Sequence, residues 1–255
     1  MAARPRLGVF KFASCDGCQL TLLDCEDEML ALAEAVDIAY FPEASRTLAR
    51  GPYDIALVEG SVTTEHDAAR IQQVRRSART LVSIGACAST GGIQALREFG
   101  DIADYQRLVY ARPDYISTLD RSTPIDANVK VDYTLSGCPI DRGQLLELIA
   151  ALLQHRPPRL PTHSLCLDCK RKGLPCVAVS ADTPCLGPVT RTGCGALCPS
   201  VGRGCYGCFG PAETANTRAL AGVLRGRGTP RQDVVRLFRT FTAGSEPFRQ
   251  GGAAQ

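Results

Sequence analysis

The sequence predicts an α/β protein: a parallel sheet with helices on both faces, followed by a small cysteine-rich module. Three observations predict it. Short runs rich in Val, Ile and Leu alternate with helical patterns up to about Gln154. The segment His155-Arg-Pro-Pro-Arg-Leu-Pro161 then ends that alternation, because three prolines in seven residues suit neither helix nor strand. Beyond it, eight of the thirteen cysteines crowd into Cys166–Cys208.

In order along the chain, Leu7–Phe12, Val36–Phe41, Asp54–Val58, Thr80–Ile84 and Val129–Leu135 read as strands. Helices are expected over Cys18–Ala35, Glu65–Ala78, Gly91–Phe99 and Asp141–Gln154, the last with Asp141 and Gln144 spaced as a capping box. Strands separated by helices in this way imply an open, flavodoxin-like parallel sheet. Residues 1–157 are expected to form that domain, and residues 158–255 a second, cysteine-rich domain. Its cysteine-rich stretch has many Gly and Pro and little periodicity, so something inorganic must organise it. Thr214–Leu224 and Asp233–Thr242 read as amphipathic helices covering the module, and Gly244–Gln255 as a flexible tail.

Composition narrows the function. Hydrophobic residues make up 45% and charged residues 22%, as in an ordinary globular chain. A net charge of +3, spread without blocks, argues against nucleic acid. No stretch approaches the roughly 20 apolar residues of a membrane span, and the start does not read as a signal peptide. A cytoplasmic address with no membrane partner is expected. Reduced thiols there favour metal or cluster ligation over disulfides.

Cys15, Cys18, Cys87 and Cys138 are scattered in sequence, yet each lies beyond the carboxyl end of a predicted strand, where open parallel sheets bind ligands. Gly17, Gly85 and Gly137 accompany them and permit close backbone approach. Cys15-x-x-Cys18 sits at a helix start, which favours an anionic group. Alone, each cysteine could be a buried small hydrophobe, and the CxxC pair a redox dithiol or half a zinc site. Cys25 falls on an apolar helical stripe with Leu22 and Leu32 and reads as core. Glu59, at the end of the third strand, is either a group supporting the cysteines or an ordinary exposed acid.

The clustered cysteines read Cys166-x2-Cys169-x6-Cys176-x8-Cys185, then Cys194-x3-Cys198-Pro-x6-Cys205-x2-Cys208. Two groups of four suit two clusters or, less well, two structural zinc ions. Gly202-x-Gly204-x-x-Gly207 matches a dinucleotide fingerprint in letters only, with no strand before it and no helix after it. Gly85–Gly92 lacks a Walker Gly-Lys-Ser/Thr. His163 has ligand-like spacing to Cys166, while His66 and His155 read as surface residues.

Taken together, Cys15-Asp-Gly-Cys18, Gly85-Ala-Cys87 with Gly91-Gly92, Ser136-Gly-Cys138-Pro139, Cys185-Leu-Gly-Pro-Val-Thr-Arg-Thr-Gly-Cys194 and Gly202-Arg-Gly-Cys205-Tyr-Gly-Cys208 resemble the motifs of nickel–iron hydrogenase small subunits. The resemblance runs from about Leu7 to Pro211. It implies an electron-transfer subunit with three [4Fe-4S] clusters and no H₂ chemistry of its own. Cys15, Cys18, Cys87 and Cys138 would hold the proximal cluster. Cys194, Cys198, Cys205 and Cys208 would hold the medial one, and Cys166, Cys169, Cys176 and Cys185 the distal one. Cys198 would supply a fourth medial ligand that many periplasmic members lack, and Cys166 would replace their distal histidine. Gln19-Leu20 stands where exported members carry a small hydroxyl residue and a glutamate, and no twin-arginine leader is seen. These traits resemble the cytoplasmic NAD(P)-linked and sulfhydrogenase group.

The implied partners are a large subunit carrying the nickel–iron centre and iron–sulfur or flavin reductase subunits. The loops with Asp16, Gly17, Glu59 and Ala88–Gly92 are expected to meet the large subunit. The rivals are a deazaflavin-linked hydrogenase small subunit, a quinone-reductase small subunit (disfavoured by the eight-cysteine region) and a zinc-stabilised interaction module.

Overall fold

The structure, a computed structural model, describes residues 4–46 and 48–253. The chain divides into two compact units, residues 1–135 and 136–255.

The first unit is built on β1 (Arg6–Lys11), α1 (Gly17–Leu23), α2 (Glu26–Ala35), β2 (Asp37–Tyr40), β3 (Tyr53–Glu59), α3 (Glu65–Ser77), β4 (Ala78–Ile84), α4 (Gly85–Thr90), α5 (Ile102–Val109) and β5 (Tyr133–Leu135). All strand pairings are parallel, in the order β2-β1-β3-β4-β5. That is the flavodoxin-like doubly wound order expected from the alternation of apolar runs and helical patterns. β3 is buried on both faces, so its run Ile55-Ala-Leu-Val58 is apolar without alternation. On one face, Phe12, Val58 and Leu81 join Ile71 and Val74 of α3 in a core. Thr64 caps α3 in a full capping box with Asp67. Arg75 and the Leu81 amide both bind Asp132, which ties the approach to β5 onto β4.

Several expected elements differ. The single helix over Cys18–Ala35 is two, because the backbone leaves the helix at Asp24 and Cys25 and Glu26 has a positive φ. Gly91–Phe99 is not an α-helix. α4 precedes it, Gly91 and Gly92 take φ of 82° and 66°, and Ile93–Phe99 winds as a 3₁₀ helix. Only the last three residues of Val129–Leu135 pair as a strand. α5 has no counterpart in the sequence reading.

The second unit contains α6 (Arg142–Leu153), α7 (Cys166–Arg171), α8 (Val177–Ser180), α9 (Leu197–Ser200), α10 (Thr217–Gly226), α11 (Arg231–Phe238) and α12 (Glu246–Ala253). The units divide ahead of α6 and not at the proline segment. A Cβ on Gly193 would lie 2.0 Å from the Phe209 ring and 2.8 Å from Gln144, and Phe209 is also packed on Gly137. These close approaches bind residues 136–144 to the cysteine-rich stretch. The expected flexible tail is α12. Its Phe248 meets Phe238 edge-on at 5.6 Å and joins Leu224 and Val234 in a core that also takes Leu186 and Val189. The C-terminal helices thus cover the cysteine-rich stretch, as their amphipathic pattern predicted. Among the described residues no helix is long and apolar enough to cross a membrane.

Candidate functional site

In the first unit, Cys15 lies in the loop after β1, Cys18 is the second residue of α1, and Cys87 lies in α4 directly after β4. All three are therefore at the carboxyl ends of strands, as the sequence implied. Cys15 is exposed, Cys18 buried and Cys87 half-buried. Cys138 follows β5 by three residues and belongs to the second unit.

Glu59 is fully buried, which excludes its reading as an exposed acid. Its carboxylate accepts the Cys18 amide at 3.1 Å and the Gln19 side-chain amide at 2.8 Å. Burial pushes the Glu59 carboxyl above its ordinary range, and the two hydrogen bonds pull it back. The Gln94 amide donates to the Ala13 carbonyl at 2.6 Å, and its oxygen lies 3.5 Å from the Cys87 sulfur. Gly92 is required against the same sulfur, since a Cβ there would sit 2.6 Å from it. Lys11, bonded to Asp16 at 2.5 Å and held cationic by that bond, brings a positive charge beside the Cys15–Cys18 loop.

The expected contact loops fare unevenly. Glu59, Ala88, Gly91 and Gly92 are already covered by the chain itself, and Ala88 is part of the core. What this edge exposes is Cys15, Leu20 and Ile93. Cys25 is fully buried, with its sulfur 3.3 Å from the Thr21 carbonyl, which suits packing.

In the second unit, α7 carries Cys166 and Cys169, and Cys176 leads into α8. Burial raises the Cys166 and Cys169 thiols, and the electrostatic neighbours that add to it are Cys185 and Cys176. Burial also raises Cys198, reinforced by Cys194 and Cys185 and opposed by Arg203. Cys208 is pushed up to about 12 by burial, with Cys194, Cys138 and Cys198 as neighbours. Cys205 is pushed up to about 12 by burial, with Cys185 and Cys208 as neighbours. Cys166, Cys169, Cys176 and Cys185 therefore fall together, and Cys194, Cys198 and Cys208 fall together. Cys205 and Cys185 adjoin, since the Cys205 amide donates to the Cys185 sulfur at 3.2 Å.

Sulfurs here also receive backbone donors. Gly187 donates to Cys185 and Gly207 to Cys205, each at 3.4 Å. The sequence showed a glycine two residues after each cysteine, but not that its amide would turn back to the sulfur. His163 lies 3.4 Å from Asp168, which also binds the Thr192 hydroxyl. Among the described residues no three His, Cys, Asp or Glu side chains converge on a point that one metal ion could fill.

The donor chemistry fits iron–sulfur clusters. Groups of buried thiols resist ionisation, and ligation requires thiolates, so a cationic iron core is what stabilises them in that form. Amides aimed at sulfur lower the cost further.

Comparison with known proteins follows the same line. The family model for the NADH ubiquinone oxidoreductase 20 kDa subunit matches residues 15–152. The sulfhydrogenase 2 subunit delta of Pyrococcus furiosus is 35% identical, over 92% of this chain and 98% of that protein. A subunit of the vhu F420-non-reducing hydrogenase of Methanocaldococcus jannaschii is 33% identical, over 93% of this chain and 94% of that protein. Among solved structures, a chain of an NAD⁺-reducing [NiFe]-hydrogenase in the H₂-reduced state superposes with a TM-score of 0.57. It is 30% identical, and the match covers 62% of this chain and 96% of that one.

Proposed function

The chain belongs to the family of nickel–iron hydrogenase small subunits, and from that premise we propose that it relays electrons through three [4Fe-4S] clusters. The relay runs between the nickel–iron site of a large subunit and an NAD(P)-linked iron–sulfur or flavin reductase subunit, in the cytoplasm. When bound, the clusters take up and release single electrons. The large subunit splits H₂ into two protons and two electrons; this chain holds the conductors.

In this reading Cys15, Cys18, Cys87 and Cys138 bind the proximal cluster. Cys194, Cys198, Cys205 and Cys208 bind the medial cluster, and Cys166, Cys169, Cys176 and Cys185 the distal one. The observation that carries it is the crowding of the clustered thiols: Cys166, Cys169, Cys176 and Cys185 adjoin one another, Cys194, Cys198 and Cys208 adjoin one another, and Cys205 lies between, beside both Cys185 and Cys208. Glu59 and Gln94 hold the proximal motif from the protein side: one fixes the Cys18 amide, the other sits against the Cys87 sulfur. The Gly187, Cys205 and Gly207 amides favour the charged form of the sulfurs they reach.

Anaerobic metal and sulfide analysis tests the count. About 12 iron and 12 sulfide per chain are expected, from three four-iron clusters. About eight iron would remove one cluster. Colourless protein with stoichiometric zinc would replace the relay with the zinc-stabilised module.

A further inference from the structure

Residues 100–122 leave the body of the first unit and return to it. Its returning end is stitched to the carboxyl edge of the sheet and to the segment from which it departs. At the return, the Ser122 hydroxyl donates to the Gly91 carbonyl at 3.0 Å and lies 2.8 Å from the Ser61 hydroxyl, from which it can accept. The Leu119 amide and the Thr118 hydroxyl both donate to the Thr63 carbonyl at 2.8 Å. At the departure, Arg97 reaches Thr118 at 2.7 Å. The excursion therefore rises from the loops that follow β3 and β4, the same loops that lead from Glu59 and Cys87.

Its middle is built as though it were not meant to face water. α5 has only eight residues and no buried side chain. An isolated helix shorter than about 12 residues is marginal in water, and packing of one face normally supplies the difference. Ile102, Tyr105, Leu108 and Val109 fall on one stripe at helical spacing, while Asp104 and Arg107 pair on the other side. Leu108 is 83% exposed and Val109 71% exposed, and Tyr110, Tyr115 and Ile116 continue the apolar surface past the helix. A run of large apolar residues this exposed marks a contact site.

We infer that the 100–122 excursion is an arm that packs its apolar stripe on the large, catalytic subunit. The inference rests on the proposed function for the existence of that partner. Continuity with the proximal edge identifies the occupant. Leu20 and Ile93, both more than half exposed, flank the cysteine loops of that edge. The arm is anchored on Ser61, Thr63 and Gly91 of the same edge, so a subunit seated over the cysteine loops meets the arm as well. The apolar character suits a permanent contact; transient redox docking is smaller and more polar.

Co-expression with an affinity-tagged large subunit tests this. Leu108→Asp and the double variant Val109→Asp/Tyr115→Ser should each reduce the co-purified large subunit by about tenfold or more, the effect of losing one anchoring contact. Iron content and thermal unfolding of the untagged chain alone should be unchanged. Ile93→Glu, at the edge itself, serves as the reference. If Ile93→Glu blocks assembly and both arm variants assemble normally, the arm is not part of the contact and the inference fails while the subunit reading stands. If neither position affects assembly, the edge assignment fails as well. If the arm variants lose iron or stability on their own, α5 packs within this chain and the inference is overturned. The same holds if they only convert a dimer of this chain to monomer, since the occupant is then a second copy.

Discussion

The two units hold cysteines in opposite ways. In residues 1–135 a five-stranded sheet with a continuous apolar core comes first, and the cysteines decorate the ends of its strands. In residues 166–208 the cysteines themselves are the framework. The three helices there are six, four and four residues long, and the local cluster of Leu165, Val177 and Ala196 is completed by Cys185 and Cys205. A sheet of that kind can stand without its cofactor. A segment in which thiols stand in for core side chains depends on what the thiols bind. In the proposed reading, the fold of the first unit presents three of the ligands to a cofactor, and the cofactors of the second position a fold.

The largest expected effect breaks the comparison directly. Iron removed by an anaerobic chelator should leave the sheet intact and loosen residues 166–208, because binding free energy there is folding free energy. The loosening should spread into α10–α12, whose core includes Leu186 and Val189. Amide exchange is the measurement. Protection in α7–α12 should fall by about two orders of magnitude, while β1, β3 and β4 keep theirs. Equal loss in both units would mean that the sheet, too, is organised by its cluster.

A smaller effect sharpens the assignment inside the second unit. Cys198→Pro should convert the medial cluster to a three-iron form with a raised potential, visible by EPR in the oxidised protein. Cys198 stands in the first turn of α9, where its amide has no intrahelical acceptor, so proline is tolerated there. Cys198→Ala makes the same change without constraining Leu197. Full iron content and no three-iron signal in both variants would remove Cys198 from the ligand set.

How far the sequence carried each unit follows from the same contrast. The strands and their parallel arrangement were legible because burial on both faces writes continuous apolar runs, as in Ile55–Val58, alternating with helical patterns. The positions of Cys15, Cys87 and Cys138 after strands followed from those runs. Helix boundaries were less legible: Cys18–Ala35 has an unbroken apolar stripe, and nothing in its pattern announces the break at Asp24–Glu26. α5 was missed because its eight residues are too few to show a sustained helical period. α12 was missed because Gly251 and Gly252 are poor helix formers; Gly251 is there to approach the Phe238 ring, and only the packed structure shows that approach. Glu59 was visible as a carboxylate at a strand end, but its burial and its bond to the Cys18 amide depend on Gln19 folding over it.

Cys25 provides the smallest effect and the closest control, since it is a cysteine of the sheet unit seven residues from Cys18. Its side chain is fully enclosed and its sulfur faces the Thr21 carbonyl within the α1–α2 turn. Nothing in the family motifs assigns it to a cluster. Cys25→Ala removes one buried sulfur and leaves a cavity smaller than a methylene pair, for a cost of about 1 kcal/mol. In a chain of this size that is a drop of about 2–4 °C in the unfolding midpoint. Iron and sulfide content and every EPR signal should match the unsubstituted protein. An unchanged midpoint with loss of about four iron would reverse the assignment: Cys25 would then be a ligand, and one of Cys15, Cys18, Cys87 and Cys138 would be the packed thiol. The contrast between cysteines that pack and cysteines that bind would then have to be drawn by a criterion other than burial on a helical stripe.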